Sequence, residues 1–343
     1  MTELFPVSSL GHNVLIPALV GGCWAKNLNV AAPESPYLAF IVGGSAAIRG
    51  CRAGPGAAQR PARRRWRRDS AHQAQVPLHK LSITDTGALH EVVASFGPEL
   101  ICHLAAQIDV RASVDAPAAD AQVNILGTVN LLEAARAAGA RVLFASSGGA
   151  LYGRDAPIPS LEEVLPLPES PYGIAKYCAE CYIGLYNRLH GTRHSVLRLA
   201  NVYGPRQDPA GEAGVITIFC ARALAGREPT IYGDGTQTRD YVYVGDAVRA
   251  FLAAGDSGRP GTWNIGTGVE VSVLDLVAII GVVAGRGVRP VFAAPRPGEL
   301  LRSAVATERA ASELGWRAAT PLAEGVRRVY RWIEAGAPDR AAC

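Results

Sequence analysis

From Leu78 to Leu199 the hydrophobic positions fall into short runs separated by stretches of helical spacing. Glu99-Leu-Ile-Cys-His-Leu104, Arg141-Val-Leu-Phe-Ala-Ser-Ser147 and Ser195-Val-Leu-Arg-Leu199 read as buried strands. Leu38-Ala-Phe-Ile-Val42 reads as another and runs straight into Gly43-Gly44. Leu89 to Phe96 suits a short helix. Asn124 to Ala138 carries apolar residues at helical spacing and stops at Gly139, a residue suited to a left-handed C-cap. Pro171 to His190 reads as a long helix. Strands alternating with helices predict an α/β chain with a Rossmann-type, doubly wound parallel sheet. Past about residue 205 the rhythm changes to loops, short strands and scattered helices, which predicts a smaller C-terminal α/β lobe facing a substrate. The expected domains are an N-terminal extension (1–37), a Rossmann domain (38–205, with 49–75 atypical), a lobe (206–336) with some segments returning to the first domain, and a tail (337–343).

Composition narrows the class. The chain has 343 residues, 49% hydrophobic and 19% charged, enough for a large globular core. Its net charge of +4 is local. Arg49, Arg52, Arg60, Arg63, Arg64, Arg65, Arg67 and Arg68 carry the excess, and the remainder is mildly acidic. That argues against a nucleic-acid-binding body. No apolar run reaches about 18 residues, so no membrane span is expected. The scattered, odd-numbered Cys suggest a reducing, cytoplasmic setting. Cys178-Ala-Glu-Cys181 has no second Cys or His pair at zinc spacing, so small core residues are expected there and no metal site.

A strand running into Gly43-Gly44 is how a dinucleotide-binding fold begins. In a G-x-x-G-x-x-G turn the glycines allow the bend and the backbone's approach to a pyrophosphate. Here Ala46 and Arg49 stand where the second and third glycines are expected. Residues 49–75 are rich in Arg, Ala, Pro and Gln, and Pro55 and Pro61 would break a helix. Two readings follow: a basic, disordered anion-binding loop, or a degraded or frame-shifted segment in place of the ordinary helix and strand. The second is preferred, because the rest of the chain fits one fold and this stretch alone does not.

The chemistry centres on Ser170-Pro-Tyr-Gly-Ile-Ala-Lys176. Tyr172 and Lys176, four apart on a predicted helix, share one face. An ammonium beside a phenol favours the phenolate, which takes a proton from an alcohol. The pair alone is weak, since any helix can carry it.

Its setting is stronger. His103-Leu-Ala-Ala-Gln107, Asn124-Ile-Leu-Gly-Thr128, Ser146-Ser-Gly-Gly-Ala-Leu-Tyr-Gly153, Arg198-Leu-Ala-Asn-Val-Tyr-Gly-Pro-Arg206, Arg239-Asp-Tyr-Val-Tyr-Val244, Asn264-Ile-Gly-Thr-Gly268 and Arg296-Pro-Gly-Glu299 surround the pair in order. From about Pro77 to Ile333 the chain resembles the extended short-chain dehydrogenases/reductases of the nucleotide-sugar epimerase and dehydratase group, most of all the UDP-glucose 4-epimerases. The resemblance implies NAD as cofactor and a nucleotide-diphosphate sugar as substrate. It implies Tyr172 as the base at the sugar 4-hydroxyl and Lys176 as its electrostatic partner, hydrogen-bonded to the nicotinamide ribose. Ser147 would bridge the substrate oxygen and Tyr172, with Ser146 a satisfied strand-end neighbour.

Gly43, Gly44, Ile48, Leu104, Ala105, Ala106 and Asn124 would surround the cofactor, Asn124 by supporting the sheet. Asn201, Arg239 and Arg296 would grip the diphosphate and Glu299 the nucleotide ribose, while Asp240 and Asp246 hold loops. The acid expected on the adenosine ribose has only Asp69 as a candidate, and Ser82 replaces an Asp expected at adenine. Dehydratases of the group carry an Asp-Glu pair where this chain has Gly148-Gly149, which leaves 4-epimerisation through a 4-keto sugar as the simplest reaction. A non-catalytic or NAD-defective relative that binds nucleotide sugar, or another reductase or epimerase of the fold, stays open. A homodimer is implied, through a four-helix bundle of segments 124–138 and 171–190.

Overall fold

The structure is a computed structural model that describes residues 79, 81–207, 214–295 and 300–336. The expected strand at 38–42 and the atypical stretch 49–75 lie outside the described residues. Thr86–Phe96 forms α1. It starts earlier than the apolar pattern suggests, because the Asp85 side chain caps it by accepting from Ala88 N. Gly97, at φ 61°, ends it. Leu100–His103 is β1, followed by α2 (Val110–Asp115) and α3 (Pro117–Ala121). A π-helical turn, Gln122–Leu126, joins α3 to α4 (Gly127–Ala138), which closes at Gly139 with φ 67°. Next come β2 (Arg141–Ser147), a one-turn helix α5 (Gly148–Leu151) and α6 (Pro171–His190). Ser170 caps α6 by accepting from Gly173 N, Pro171 fills its first position, and Gly191 ends it.

The chain continues through β3 (Ser195–Leu199), β4 (Asn201–Tyr203), α7 (Val215–Leu224), β5 (Thr230–Tyr232), β6 (Thr238–Arg239) and β7 (Tyr241–Tyr243). Then follow α8 (Val244–Ser257), β8 (Gly261–Ile265), β9 (Val271–Ser272), α9 (Val273–Ala284), β10 (Val291–Ala293), α10 (Glu308–Leu314) and α11 (Leu322–Glu334).

Among the described residues β1, β2, β3 and β8 form one parallel sheet in that order. Its register pairs Leu100 with Arg141, Leu143 with Ser195, and Ser195 with Gly261. Helices cover both faces, as an all-parallel sheet requires. On one face Leu89 and Val93 of α1, Leu131 and Leu132 of α4, and Ala179 and Ile183 of α6 pack on Ile101, Val142 and Phe144. On the other, Ala247, Ala250 and Phe251 of α8 pack on Leu143, Leu197 and Trp263. Trp263 is fully buried and donates its indole N–H to Glu313 at 2.9 Å. A third cluster joins α7, α9 and α11 through Phe219, Leu276, Ile280, Val326 and Val329. Short pairs serve that half: β4 with β7 and β5 with β10, both parallel, and β6 with β9, antiparallel. Because β8 reaches back into the main sheet, the two halves share a strand. All four main strands end on one edge, the place where open α/β sheets bind ligands.

Candidate active site

Ser147 is the last residue of β2 and is fully buried. Its hydroxyl accepts from Ala150 N at 3.1 Å, so it also caps α5. The glycine behind it is packed tight. A Cβ on Gly148 would lie 2.7 Å from Val305 Cγ1 and 3.2 Å from Arg198 O. A Cβ on Gly173 would lie 2.6 Å from Ala150 O, so the first turn of α6 rests directly on α5. That contact places Tyr172 beside the segment that follows Ser147.

Tyr172 and Lys176 lie on the buried face of α6, at 0% and 1% exposure. The Lys176 Nζ stands 5.7 Å from the centre of the Tyr172 ring and 4.7 Å from that of Phe144. It donates to Ala145 O at 2.9 Å, two residues before Ser147. Burial pulls the Lys176 ammonium down to about 7, against the attraction of Asp120 and then Glu180. His103, also fully buried, is lowered by burial and then by the Lys176 charge to about 3, so it stays neutral. Thr128 Oγ1 donates to Asn124 O and so receives the hydrogen bond from His103 Nε2, which fixes the imidazole tautomer.

One turn along α6 lies a charged network that no pattern in the sequence predicts. Glu180 receives Arg198 through Nη2 at 2.7 Å and Nε at 3.1 Å, and Ser146 Oγ at 2.5 Å. Ser146 is therefore the satisfied neighbour that was expected. Arg198 Nη1 donates to Tyr152 Oη at 2.9 Å, and Tyr152 donates to Asn264 Oδ1 at 2.7 Å. The chain of bonds crosses from α6 through β3 to β8 beneath Ser147.

The turn after β1 holds Leu104, Ala105 and Ala106, beside the carboxyl ends of the strands. Asn124, in the π-turn, closes on it in two directions: Nδ2 donates to Gln107 O and Oδ1 accepts from Gln107 N, both at 2.8 Å. Its amide is thus spent on protein, and it holds the turn in place. Asp120, which the sequence reading missed, joins this cluster; its spacing of four from Asn124 was the available signal.

Asn201 opens β4, two residues beyond Leu199, the register partner of Ser147. Its N–H donates to Asp240 O at 2.9 Å, which sets it against the segment carrying Arg239. Arg239 is 2% exposed and donates through Nη1 to Thr238 O. Asp240 holds a loop, accepting from Thr267 N, Thr267 Oγ1 and Gly268 N. Asp246 does the same with Ala319 N and Thr320 N. The Ser82 hydroxyl pairs with Thr84. Gly43, Gly44, Ile48, Asp69, Arg296 and Glu299 lie outside the described residues. The core placing expected of the C-x-x-C pair is corrected: Cys178 is half-buried and Cys181 exposed. Cys178 lies on the flank of the buried face of α6, and Cys181 on the side turned away from Ala179 and Ile183, which pack on the sheet.

Comparison with known proteins settles the family. Residues 45–266 match the model of the NAD dependent epimerase/dehydratase family. The chain belongs to that family. This family member is 46% identical to a UDP-glucose 4-epimerase of Mycolicibacterium smegmatis over 256 residues, 74% of this chain and 82% of the relative. It resembles the crystal structure of a Thermotoga maritima UDP-glucose 4-epimerase with UDP-glucose, at TM-score 0.74 and 42% identity, covering 76% of this chain and 84% of that one. It also resembles a Thermus thermophilus UDP-glucose 4-epimerase in complex with NAD, at TM-score 0.70 and 38% identity, covering 76% and 85%. The donor set fits the cofactor that the family implies. The hydrogen bond to Ala145 O uses one of the three N–H donors of Lys176, which leaves two for the hydroxyls of a ribose. Among the described residues no helix is long and apolar enough to cross a membrane.

Proposed function

We propose that this family member catalyses NAD-dependent 4-epimerisation of a nucleotide-diphosphate sugar of the UDP-glucose/UDP-galactose type. One observation carries the reading. Tyr172, Lys176 and Ser147 are buried together at the carboxyl ends of the strands, and the position after Ser147 has no room for an acidic side chain. Without that acid, the described residues equip the site to move one proton at the 4-hydroxyl. Tyr172 removes the 4-hydroxyl proton and later returns one. Lys176 supplies the positive charge that favours the phenolate. Ser147 orients the sugar oxygen toward Tyr172. Bound NAD would supply hydride acceptor and donor chemistry at C4, which is what a 4-keto form of the sugar requires.

Lys176 would hold the nicotinamide ribose, Leu104, Ala105 and Ala106 would line the cofactor, and Asn124 would act through the turn that it clamps. Gly43, Gly44 and Ile48 complete that set by resemblance. Asn201, Arg239 and Arg296 would hold the diphosphate and Glu299 the nucleotide ribose, Arg suiting phosphate through its fixed fork. Residues 206–336 form mainly the substrate lobe in this reading, with α8, the strand Gly261–Ile265 and α10 returning to the main sheet.

A second copy of the chain is the proposed partner. Along α6 Ile174, Tyr182, Leu185 and Leu189 are exposed, Leu189 at 66%, as is Leu126 of the π-turn. Packed against their symmetry mates they would form a four-helix bundle. Sedimentation tests this: a dimer that Leu185→Lys converts to monomer is expected, and a monomeric wild type would refute it. The activity is tested by denaturing the purified protein, measuring released NAD, and assaying interconversion of UDP-glucose and UDP-galactose. A folded protein that neither retains nor binds added NAD would overturn the proposal.

A further inference from the structure

Asp120 is a buried carboxylate that the mechanism has not yet used. It is 1% exposed, and its Oδ1 accepts from Gln107 Nε2 at 2.8 Å and Asn124 Nδ2 at 2.9 Å. Both donors are neutral amides. Its Oδ2 has no hydrogen-bond partner among the described residues. Gln107 Nε2 also donates to Asp109 O, and Gln107 Oε1 accepts from Asp109 N. Asp120 therefore anchors the side chains that shape the turn from Leu104 to Asp109. It faces α6 as well: Asp120 and Ala175 line the same cleft between α3 and α6.

A buried ionised carboxylate is costly unless a cation compensates it. Burial raises the pKa of Asp120, while the hydrogen bond from Gln107, the charge of Lys176 and the hydrogen bond from Asn124 draw it back toward the ionised form, so Lys176 is the cation that answers it. Around Lys176 stand Tyr172 and Glu180 from its own helix, His103 from β1 and Asp120 from the α3 side. His103 is neutral. The charge of Glu180 is already matched by Arg198 at 2.7 Å. Asp120 is left as the carboxylate whose charge answers that of Lys176.

We propose that Asp120 is a positioning residue for the Tyr172–Lys176 pair, its carboxylate tying the turn after β1 to the segment that carries Asn124 and placing one negative charge within reach of the Lys176 ammonium. It acts through Lys176 and the turn after β1 rather than on a reacting atom. Loss of the charge makes Lys176 release its proton more easily, so the pair loses its cation at a lower pH. The π-turn starts two residues after Asp120 and carries Asn124, and turns of this kind recur at functional sites.

The role in catalysis rests on the epimerase reading, but the test does not. The chain has three lysines, Lys26, Lys80 and Lys176. Isotope-labelled lysine therefore gives a simple NMR spectrum, in which Lys176→Met assigns the Lys176 signal. In wild type the Lys176 signal is expected to shift twice, once as Lys176 loses its own proton and once at acid pH as Asp120 gains one. In Asp120→Asn the acid step vanishes and Lys176 titrates about 1 pH unit lower. Asp120→Glu, which keeps the charge, is expected to stay nearer to wild type. An unchanged Lys176 titration in folded Asp120→Asn overturns the proposal. So does a wild-type signal without the acid step, which decides the matter if Asp120→Asn does not fold. Neither result bears on whether the enzyme epimerises sugars, which turnover decides separately.

Discussion

Glu180 offers a sharp test of what holds the site. It is 8% exposed and takes four charge-assisted hydrogen bonds, one from Ser146 and three from two nitrogens of Arg198, itself 5% exposed. Glu180→Ala would leave the guanidinium facing only Tyr152 Oη and the backbone oxygen of Glu162, neither of which carries a compensating charge. Removing one partner of a buried pair costs about 3–5 kcal/mol, because the other charge stays in low dielectric. At about 2–4 °C per kcal/mol, the usual relation for a large domain, that is a fall of roughly 6–20 °C. Replacing both partners by apolar residues, as in Glu180→Leu with Arg198→Met, removes the stranded charge, and most of the loss should return. Urea denaturation followed by circular dichroism at neutral pH, on wild type, Glu180→Ala, Glu180→Leu, Arg198→Met and the Leu–Met double variant, closes the cycle. If Glu180→Ala stays within about 1 kcal/mol of wild type, or the double variant is no better than the single ones, the network is not what joins α6 to β3 and β8.

Three further outcomes follow from the geometry. Tyr172→Phe should lower 4-epimerisation by about 10²–10⁴-fold, the usual worth of a general base, while nucleotide-sugar binding by calorimetry and the melting temperature change little. Gly173→Ala should destabilise by about 1–3 kcal/mol in urea and slow turnover, since its methyl would lie 2.6 Å from the Ala150 carbonyl oxygen and must displace it, and with it the turn behind Ser147. His194 is buried and neutral, its pKa lowered by burial from 6.5 to about 4, with Nδ1 accepting from Val142 N. Between those values the unfolded chain binds more protons, so this stabilisation is whole above pH 6.5 and is lost as pH falls toward 4, by roughly 3 kcal/mol. His194→Asn keeps an acceptor for Val142 and should make the fall in urea midpoint between neutral and acid pH shallower.

The sheet and its long helix were legible because their signals are local. The strands at 141–147 and 195–199 and the helix at 171–190 stand where the apolar runs, Ser170-Pro171 and Gly191 placed them. The first helix is longer than its apolar core, because the Asp85 cap fixes its start. The helix before Asn124 was missed: Pro117-Ala-Ala-Asp-Ala121 is too poor in large apolar residues to show a period. Tyr172, Lys176 and Ser147 were found through motif order. The network around Arg198 was not, since its partners lie 18 and 46 residues away in the chain and only folding brings them together. Ser146 and Ser147 look alike in sequence, yet alternation along β2 turns one toward Glu180 and the other toward Ala150.

The π-turn at Gln122–Leu126 also constrains how the chain can change length. Such a turn is in effect one residue inserted into an α-helix. Before it Asp120, and within it Asn124, must point at the turn after β1; downstream Thr128, Leu131, Leu132 and Ala135 must point at His103 and the core. Deleting one residue would restore a regular helix and rotate one set against the other by about 100°, since a helix turns every 3.6 residues. No single rotation could then seat both. The extra residue works as a phase shifter between two faces with incompatible demands, so variation should exchange side chains in this stretch and leave its residue count alone.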